Sequence, residues 1–379
     1  VQARKLVVFT DSRQDAAKLS AGIEQDHYRD LIRQTLHDQS AYFADVLLSA
    51  LKVALRNSSS AFLADFSQAF PTLAQAVLAS PPDKEDIQRF RQFQKDHKDH
   101  ADLINNWTLE LFESEADEKR LRALLQCWPG FVGFRELRQL VIQQLLQLGH
   151  NPGGIGVRLQ GYKENAREDA VSWSHLFDWS KAPVLRKPHL DYNAEALWYR
   201  IDDALRDEMM GIAFMSLRHC LESLGLALVT VPPDLELTPK EREVAQGLIR
   251  MLGTRHRYKG KPWFKEGIKE DIPLNAQAYM RHCGVDPEHL MAVLLKAEVL
   301  MPSDMGVILD PEKLYLVKPA EDAVTFLCGL CQNTFSHAAG GYCPDCLSMG
   351  YNGPLDKVAL YPGEALPHQD YYSFLSLEA

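Results

Sequence analysis

The chain has 379 residues, of which 46% are hydrophobic, and a formal net charge of −10 at pH 7. This length predicts two or three domains. Modules dedicated to nucleic acids are usually basic, because cations neutralise the phosphates, so the acidic balance restricts any DNA contact to a local patch. No apolar run reaches the roughly 18 residues of a membrane span, and no secretory signal is present, so we expect a cytoplasmic protein without membrane contact.

The first predicted element is a buried strand that leads directly into a helix. Residues 5–10 (KLVVFT) form an apolar, β-branched run without alternation, which is typical of a strand covered on both faces of a parallel sheet. Asp11 or Ser12 supplies an N-cap for the helix. A parallel strand needs neighbours, and no other segment offers a convincing set. We therefore expect its sheet to be completed by polypeptide outside this sequence.

Residues 7–17 resemble motif IV of superfamily 2 helicases, which opens the second RecA-like domain of these motors. Extended to residue 30, the segment is similar to large DEAD/DEAH-type helicases with a C-terminal four-cysteine domain, from anti-phage defence systems such as Druantia and DISARM. The resemblance implies that four residues face nucleic acid at the carboxyl end of the sheet, where a hydroxyl or a helix N-terminus holds phosphate: Thr10, Ser12, Arg13 and Gln14. The alternatives are a plain N-cap for Ser12 and, for Arg13, an ion pair with Asp15 or with an acid outside this sequence.

The resemblance further implies that the chain is part of an ATP-dependent DNA helicase or translocase, in anti-phage defence or genome maintenance. ATP and Mg²⁺ would then belong to the full-length parent, because this sequence contains no Walker motif, DEAD-type box or arginine-rich motif VI. The implied partners are the rest of the motor, single-stranded DNA or a duplex junction, and other defence proteins. The alternative is a non-enzymatic zinc-ribbon adaptor or nucleic-acid-binding interaction protein. No catalytic residue is identified.

We predict a mainly α fold with small β elements, of the α+β class. Apolar residues recur at helical spacing from residue 27 to 148, with breaks at Pro71, Pro81 and Pro129. Residues 149–161 are predicted to be a helix C-cap and connector, because they lack the Gly-Lys-Ser/Thr of a phosphate-binding loop. The predicted units are the start of the second RecA-like domain (1–35), a helical insertion (36–150), a connector (151–190), a winged-helix-like domain (191–320), a zinc ribbon (321–356) and a return toward the RecA-like domain (357–379).

The winged-helix prediction depends on helices that end in a small hairpin. A strand is predicted at 226–231, and short β runs at 306–309 and 313–317 are predicted to form the hairpin. Many superfamily 2 helicases carry such a domain as an accessory. Helices are predicted to begin at four places, two of which pair a capping residue with proline at the first helical position: Asn193, Phe214, Thr238-Pro239 and Asp286-Pro287.

One dense basic stretch, residues 255–265 (RHRYKGKPWFK), interleaves cations with aromatic rings. Cations neutralise phosphates while a ring stacks on an unpaired base, and each stack contributes roughly 1–3 kcal/mol. The alternative is a solvated loop with Trp263 and Phe264 in the core. The candidate DNA-binding residues are Arg255, Arg257, Tyr258, Lys259, Lys261 and Trp263.

The strongest chemical signal is a pair of Cys-x-x-Cys motifs, Cys328/Cys331 and Cys343/Cys346. Two such motifs separated by a short loop place four thiolates around tetrahedral Zn²⁺. Four cysteines leave no position for a reactive water or for His337, and two matched pairs disfavour a redox dithiol. We therefore predict structural zinc, which supplies the folding energy that so small a β unit lacks.

The residues around these motifs carry further predictions. Gly340 and Gly341 let the chain turn back between the motifs, and Phe326 and Tyr342 are expected to pack around the metal. The remaining cysteines are predicted to be buried apolar residues: Cys127, Cys220 and Cys283.

Overall fold

The computed structural model describes residues 13–96, 98–109, 111, 114–126, 131–163, 169–180, 183–186, 190–214, 220–222, 226–233, 235–317 and 325–358. The predicted strand at 5–10 lies outside these residues, as do Thr10, Ser12, Cys127 and the segment 359–379. The expected completion of the N-terminal sheet therefore stays a prediction.

The region before residue 148 is built on one long helix, α1 (Arg13–Ala54), against which α4 and α7 pack. Ile32, Phe43 and Leu47 of this helix are buried. Proline separates α2 from α3 as predicted, because Pro71 occupies the first turn of α3. The elements that follow α1 are α2 (Ser60–Ala69), α3 (Pro71–Leu78), α4 (Lys84–Asp96), α5 (Lys98–Thr108), α6 (Glu115–Gln126), β1 (Phe131–Gly133) and α7 (Phe134–Gln147).

Buried aromatic residues form the core of these helices, as their spacing predicts. Phe66 and Phe70 are buried, and Trp107 packs 5.7 Å from the Phe66 ring. The charged segment that begins at residue 83 presents a largely exposed face on α4. His100 is buried, and its Nε2 lies 3.6 Å from Glu136 Oε1.

A helix cap followed by two short hairpins forms the connector. Gly149 has a φ of +77°, which lets the His150 N–H donate to the Leu145 carbonyl at 2.8 Å and close α7 as predicted. Phe177 is buried against the Trp198 ring, whereas Trp179 is 40% exposed. The hairpins pair β2 (Gly161–Tyr162) with β3 (Val171–Ser172), and β4 (Phe177–Asp178) with β5 (Val184–Leu185).

Residues 192–317 alternate helices with short strands. α9 begins with a capping box, in which the Thr238 hydroxyl accepts from the Glu241 N–H (3.2 Å) and the Glu241 carboxylate accepts from the Thr238 N–H (2.9 Å). Asp286 caps α11, as its position before Pro287 predicts. The elements are α8 (Tyr192–Phe214), β6 (Leu228–Thr230), α9 (Pro239–Gly253), β7 (Glu266–Lys269), α10 (Leu274–His282), α11 (Pro287–Lys296), β8 (Leu300–Met301), β9 (Ile308–Leu309) and β10 (Tyr315–Val317).

One detail of this region differs from the sequence prediction, and another falls largely outside the described residues. Phe214 belongs to α8, and residues 215–219, which the helix predicted to begin at Phe214 would occupy, lie outside the described part of the chain. The runs 306–309 and 313–317 do not pair with each other, because the turn Pro311–Lys313 separates strands that belong to different sheets. β9 pairs with β8, whereas β10 lies between β1 and β6, with Leu316 opposite Val132 and Val229.

Residues 325–358, which we call the cysteine unit, form a separate antiparallel sheet. β11 (Thr325–Cys328) lies between β12 (Thr334–Phe335) and β13 (Leu355–Val358), and α12 (Pro344–Ser348) precedes β13. The strand predicted to begin at Lys357 starts at Leu355, and Lys357 pairs with Phe326. The predicted boundary at residue 356 therefore falls inside a strand of this unit.

The architecture is mixed, with many helices and small antiparallel sheets, as the predicted α+β class requires. Across the part of the chain described, every helix is either too short or too polar for a membrane span.

Candidate metal centre

Four cysteine sulfurs converge at one end of the cysteine unit. Cys328 Sγ lies 3.7 Å from Cys346 Sγ, Cys331 Sγ lies 3.7 Å from Cys343 Sγ, and all four sulfurs are within 4.8 Å of one another. A Zn–S bond of about 2.3 Å places the corners of a sulfur tetrahedron about 3.8 Å apart. A disulfide would need about 2.05 Å between sulfurs. The arrangement therefore fits a tetrahedral thiolate site.

The two motifs have the same local geometry. In the first, the Leu330 and Cys331 N–H groups point at Cys328 Sγ from 3.4 and 3.5 Å. In the second, the Cys346 N–H points at Cys343 Sγ from 3.5 Å. These donors stabilise a thiolate, so each loop suits a charged sulfur.

The thiol pKa values show how burial opposes this stabilisation. Burial favours the neutral form of Cys328, but hydrogen bonds from the Cys331 and Leu330 N–H groups and with the Cys331 and Cys346 thiols together outweigh it and hold the pKa below its usual value. Burial raises the pKa of Cys343, and burial with the neighbouring thiols raises that of Cys346 to about 12. A divalent cation supplies the missing positive charge, so its binding displaces thiol protons.

Gly353 brings the backbone against the sulfurs. A Cβ at this position would lie 2.8 Å from Cys328 Sγ and 3.1 Å from Cys346 Sγ. The Gly353 carbonyl accepts from the Cys343 N–H at 2.8 Å. Only a residue without a side chain leaves room for this approach.

The glycines between the motifs turn the chain back, as predicted. Gly340 and Gly341 have φ values of +68° and +94°. Phe326 packs against the cysteines, but the Tyr342 ring lies 4.2 Å from that of His282 and so contacts α10. The expectation that Tyr342 surrounds the metal was wrong, because α10 lies closer to its side chain than sequence order suggests.

His337 is buried beside Glu222 and has no place among the sulfurs. Its Nδ1 accepts from the Ala339 N–H at 3.0 Å, and its Nε2 lies 3.3 Å from Glu222 Oε1. Burial lowers the histidine pKa, so the neutral ring with its proton on Nε2 fits both contacts. His337 is therefore a structural residue of the loop.

Some candidate DNA-binding residues of the basic stretch are internal. Tyr258 is 1% exposed and Lys261 is 9% exposed. Lys261 Nζ contacts Asp207 Oδ2 and lies over the Tyr258 ring at 4.9 Å. Arg257 donates to the Val307 carbonyl at 3.2 Å and lies over the Phe264 ring. These side chains hold the loop in place, and the Tyr258 ring is not accessible to a base.

Other residues of the stretch face outward. Arg255 is exposed and donates to the Ser348 carbonyl of the cysteine unit at 2.8 Å. The Lys259 side chain is 53% exposed, and Trp263 is 51% exposed. Arg13 and Gln14 are the first residues of α1, and their side chains lie outside the described part.

The residues that attach the cysteine unit to the helices were not predicted from the sequence. Arg250 on α9 is almost fully buried and binds Glu222 and Asp345. The available signal was a single arginine inside an apolar run of α9, since its neighbours Ile249 and Met251 are core residues.

Comparisons with protein-family models, with curated proteins and with solved structures give no match for this chain. A functional assignment therefore depends on the residues and geometry described above.

Proposed function

We propose that this chain is a zinc-stabilised accessory part of an ATP-dependent DNA helicase or translocase that acts in anti-phage defence or genome maintenance. The observation that carries the proposal is the set of four converging sulfurs in the cysteine unit, which packs on α9 and α10. The basic stretch 255–265, with its outward-facing residues, lies beside this unit. Zn²⁺ bound by Cys328, Cys331, Cys343 and Cys346 would supply folding energy and no catalysis, because the four thiolates complete a tetrahedral shell.

The order of elements around α9 supports a winged-helix-like unit. Three helices, α9, α10 and α11, precede the hairpin β8–β9, and Tyr258 adds a bridge to Leu309 beside it. Leu248, Met280 and Leu294 lie in the shared core. Such units place a helix or a hairpin on nucleic acid or on a partner protein.

The exposed part of the basic stretch supports a DNA contact near the cysteine unit. Arg255 touches Ser348, so the loop and the cysteine unit adjoin. Lys259 can neutralise a phosphate, and the Trp263 ring is open enough to stack on an unpaired base. Single-stranded DNA or a fork is the ligand that this combination fits.

Binding of fluorescent single-stranded and forked DNA, followed by anisotropy over a range of salt, tests this contact. We expect Arg255→Gln/Lys259→Gln to weaken binding and to reduce the salt slope by about 0.7 per lost single-strand phosphate contact. Trp263→Ala should weaken single-strand binding without changing the slope. The matched control, Lys84→Gln/Lys95→Gln, removes two exposed cations from α4 and should leave binding unchanged. Equal affinities and slopes in all four proteins would contradict the DNA contact.

A protein-binding adaptor is the second candidate. The net charge of −10 opposes general DNA affinity, and Ile268 and Leu274 are 93% and 83% exposed. The motor assignment requires a continuous reading frame with Walker motifs upstream and motif VI downstream. A frame without them, combined with a zinc-loaded chain that does not bind DNA, would favour the adaptor.

A further inference from the structure

Arg250 joins the cysteine unit to the helices through a buried ion cluster. Its Nη2 donates to Asp345 Oδ2 at 3.0 Å and its Nη1 donates to Glu222 Oε2 at 2.7 Å. The guanidinium also lies 4.8 Å from the centre of the Phe335 ring. The side chains of Arg250, Glu222 and Asp345 are 4%, 6% and 11% exposed, so solvent does not compensate these charges.

Both carboxylates connect Arg250 to the metal-binding loops. Asp345 lies between the ligands Cys343 and Cys346, and its Oδ2 also accepts from Asn333 Nδ2 at 3.0 Å. Glu222 lies in a turn before β6, outside the cysteine unit, and its Oε1 accepts from the Ser336 N–H at 3.1 Å, between the two motifs. One guanidinium therefore contacts the second motif directly and the intervening loop through Glu222.

Other contacts close the same interface. The Tyr279 hydroxyl donates to the Ala339 carbonyl at 2.8 Å. Gly340 packs so closely that a Cβ there would lie 2.8 Å from Val244 and 2.9 Å from Cys283. The segment between the motifs makes these contacts with its turn at Gly340 and Gly341 formed, and a cysteine pair lies at each end of this segment.

The charges make this interface sensitive to any missing partner. Zn²⁺ with four thiolates carries two negative charges, and Glu222 and Asp345 add two more. Among the residues that the structure describes, Arg250 is the cation that contacts both of these carboxylates. Removing one member of a buried ion pair is strongly destabilising, because it leaves an uncompensated charge.

We propose that Arg250 is a positioning residue for the metal site, and that zinc binding and docking of the cysteine unit on α9 and α10 form one coupled equilibrium. The inference rests on the proposed zinc site. By linkage, the factor by which docking tightens zinc binding equals the factor by which zinc tightens docking. Loss of the metal then uncovers the face of α9 and α10 that carries Val244, Tyr279 and Cys283.

The first test compares zinc affinity in two arginine variants, by competition with a chromophoric chelator of known affinity. Arg250→Met keeps an unbranched apolar side chain, similar in reach to the methylene stem of arginine, and removes the charged guanidinium. Arg281→Met is the matched control, because Arg281 is an exposed cation on α10 that donates to Gln277 of the same helix. We expect Arg250→Met to weaken zinc binding at least about tenfold, as is typical for residues that support metal ligands, and Arg281→Met to change it less than about twofold.

Cobalt absorption separates positioning from a damaged site. At saturation, Co²⁺ should give the same tetrahedral thiolate bands in wild type and Arg250→Met, because the four ligands are unchanged. Hydrogen exchange of the wild-type chain should accelerate in α9 and α10 when zinc is removed, and stay unchanged in α4.

A second variant keeps the inference testable if Arg250→Met fails to fold. Asp345→Asn removes the direct link but leaves the Arg250–Glu222 pair, and we expect it to weaken zinc binding as well. Where both fold, the double variant should lose less affinity than the sum of the two single losses. Unchanged zinc affinity in Arg250→Met, or in Asp345→Asn when that variant alone folds, would overturn the coupling alone. Hydrogen exchange in α9 and α10 that stays the same when zinc is removed would also overturn the coupling alone. A wild-type chain that binds no zinc at saturation would overturn the zinc assignment and the coupling together.

Discussion

At the scale of single residues, Gly353 shapes the metal site without ligating the metal. Its backbone fills the space beside Cys328 and Cys346, where a Cβ would sit 2.8 Å and 3.1 Å from the sulfurs. Gly329, inside the first motif, has ordinary space instead, since its nearest neighbour, Asp356 Oδ2, is 3.8 Å from a Cβ. A methyl group at Gly353 would therefore displace the two sulfurs, whereas a methyl group at Gly329 would displace nothing.

We predict that Gly353→Ala weakens zinc binding by roughly tenfold or more, because the methyl group pushes two sulfurs from their positions. Chelator competition measures the effect, and Gly329→Ala is the control, with affinity expected within about twofold of wild type. Equal losses in both variants would mean that the close approach of Gly353 has no special role.

At the scale of elements, α9 is the helix to which the cysteine unit is attached, and its start is held by the Thr238–Glu241 capping box. The Thr238 hydroxyl donates to the Glu241 carboxylate at 2.7 Å, and this bond, with that of the Thr238 N–H, holds the pKa of Glu241 below its usual value. A lowered carboxyl pKa means that the contribution is present above the unfolded value of 4.5 and is lost as pH falls through the folded value.

Thr238→Ala should lower the free energy of unfolding by about 1 kcal/mol at pH 7. The difference in unfolding free energy between the variant and wild type should shrink below pH 4.5, where the Glu241 carboxylate of the unfolded chain is protonated before that of the folded chain. Urea denaturation at pH 7 and in this acidic range measures both values, and Thr238→Ser, which keeps the hydroxyl, is the control. A deficit that stays constant across this range would show that the carboxylate contributes nothing to the cap.

At the scale of the whole molecule, β10 and Arg138 connect the N-terminal helices to the later part of the chain. β10 lies between β1 and β6. Arg138 on α7 lies 2.8 Å from Glu312 and 3.5 Å from Asp202 on α8. Arg138 and Glu312, which are 174 positions apart, thus share one partly buried cluster with Asp202.

Arg138→Met should destabilise the fold by at least about 2 kcal/mol, because it leaves two carboxylates without their cation. The loss should stay below the roughly 3–5 kcal/mol of a fully buried pair, since the side chains of Asp202 and Glu312 are 20% and 25% exposed. Urea unfolding provides the measurement. Arg122→Met breaks only an exposed contact with Glu118 and should cost about 0.5 kcal/mol or less. Similar losses in the two variants would contradict this account.

Features that depend on a few neighbouring residues were predictable from the sequence. The four cysteines, the cap at Thr238, the proline break before α3 and the Gly149 C-cap all depend on hydrogen bonds or ligands within a few positions. Burial of Cys220 and Cys283 followed from their apolar character. The helicase resemblance at residues 7–17 lies mostly outside the described part and stays a prediction.

Only the tertiary structure decided which distant residues meet. β10 does not form the predicted hairpin. Its buried backbone N–H and C=O groups need hydrogen-bond partners, and β1 and β6, which are distant in sequence, provide them. Tyr258 reads as a base-stacking ring in sequence, but packing buries it. The role of Arg250 could not be predicted from the sequence, because its ion-pair partners Glu222 and Asp345 come close to it only in the folded chain. The sequence alone thus determined the candidate metal ligands, because the spacing of the four cysteines is local. The tertiary structure determined which distant residues hold these cysteines in place, because such contacts form only on folding.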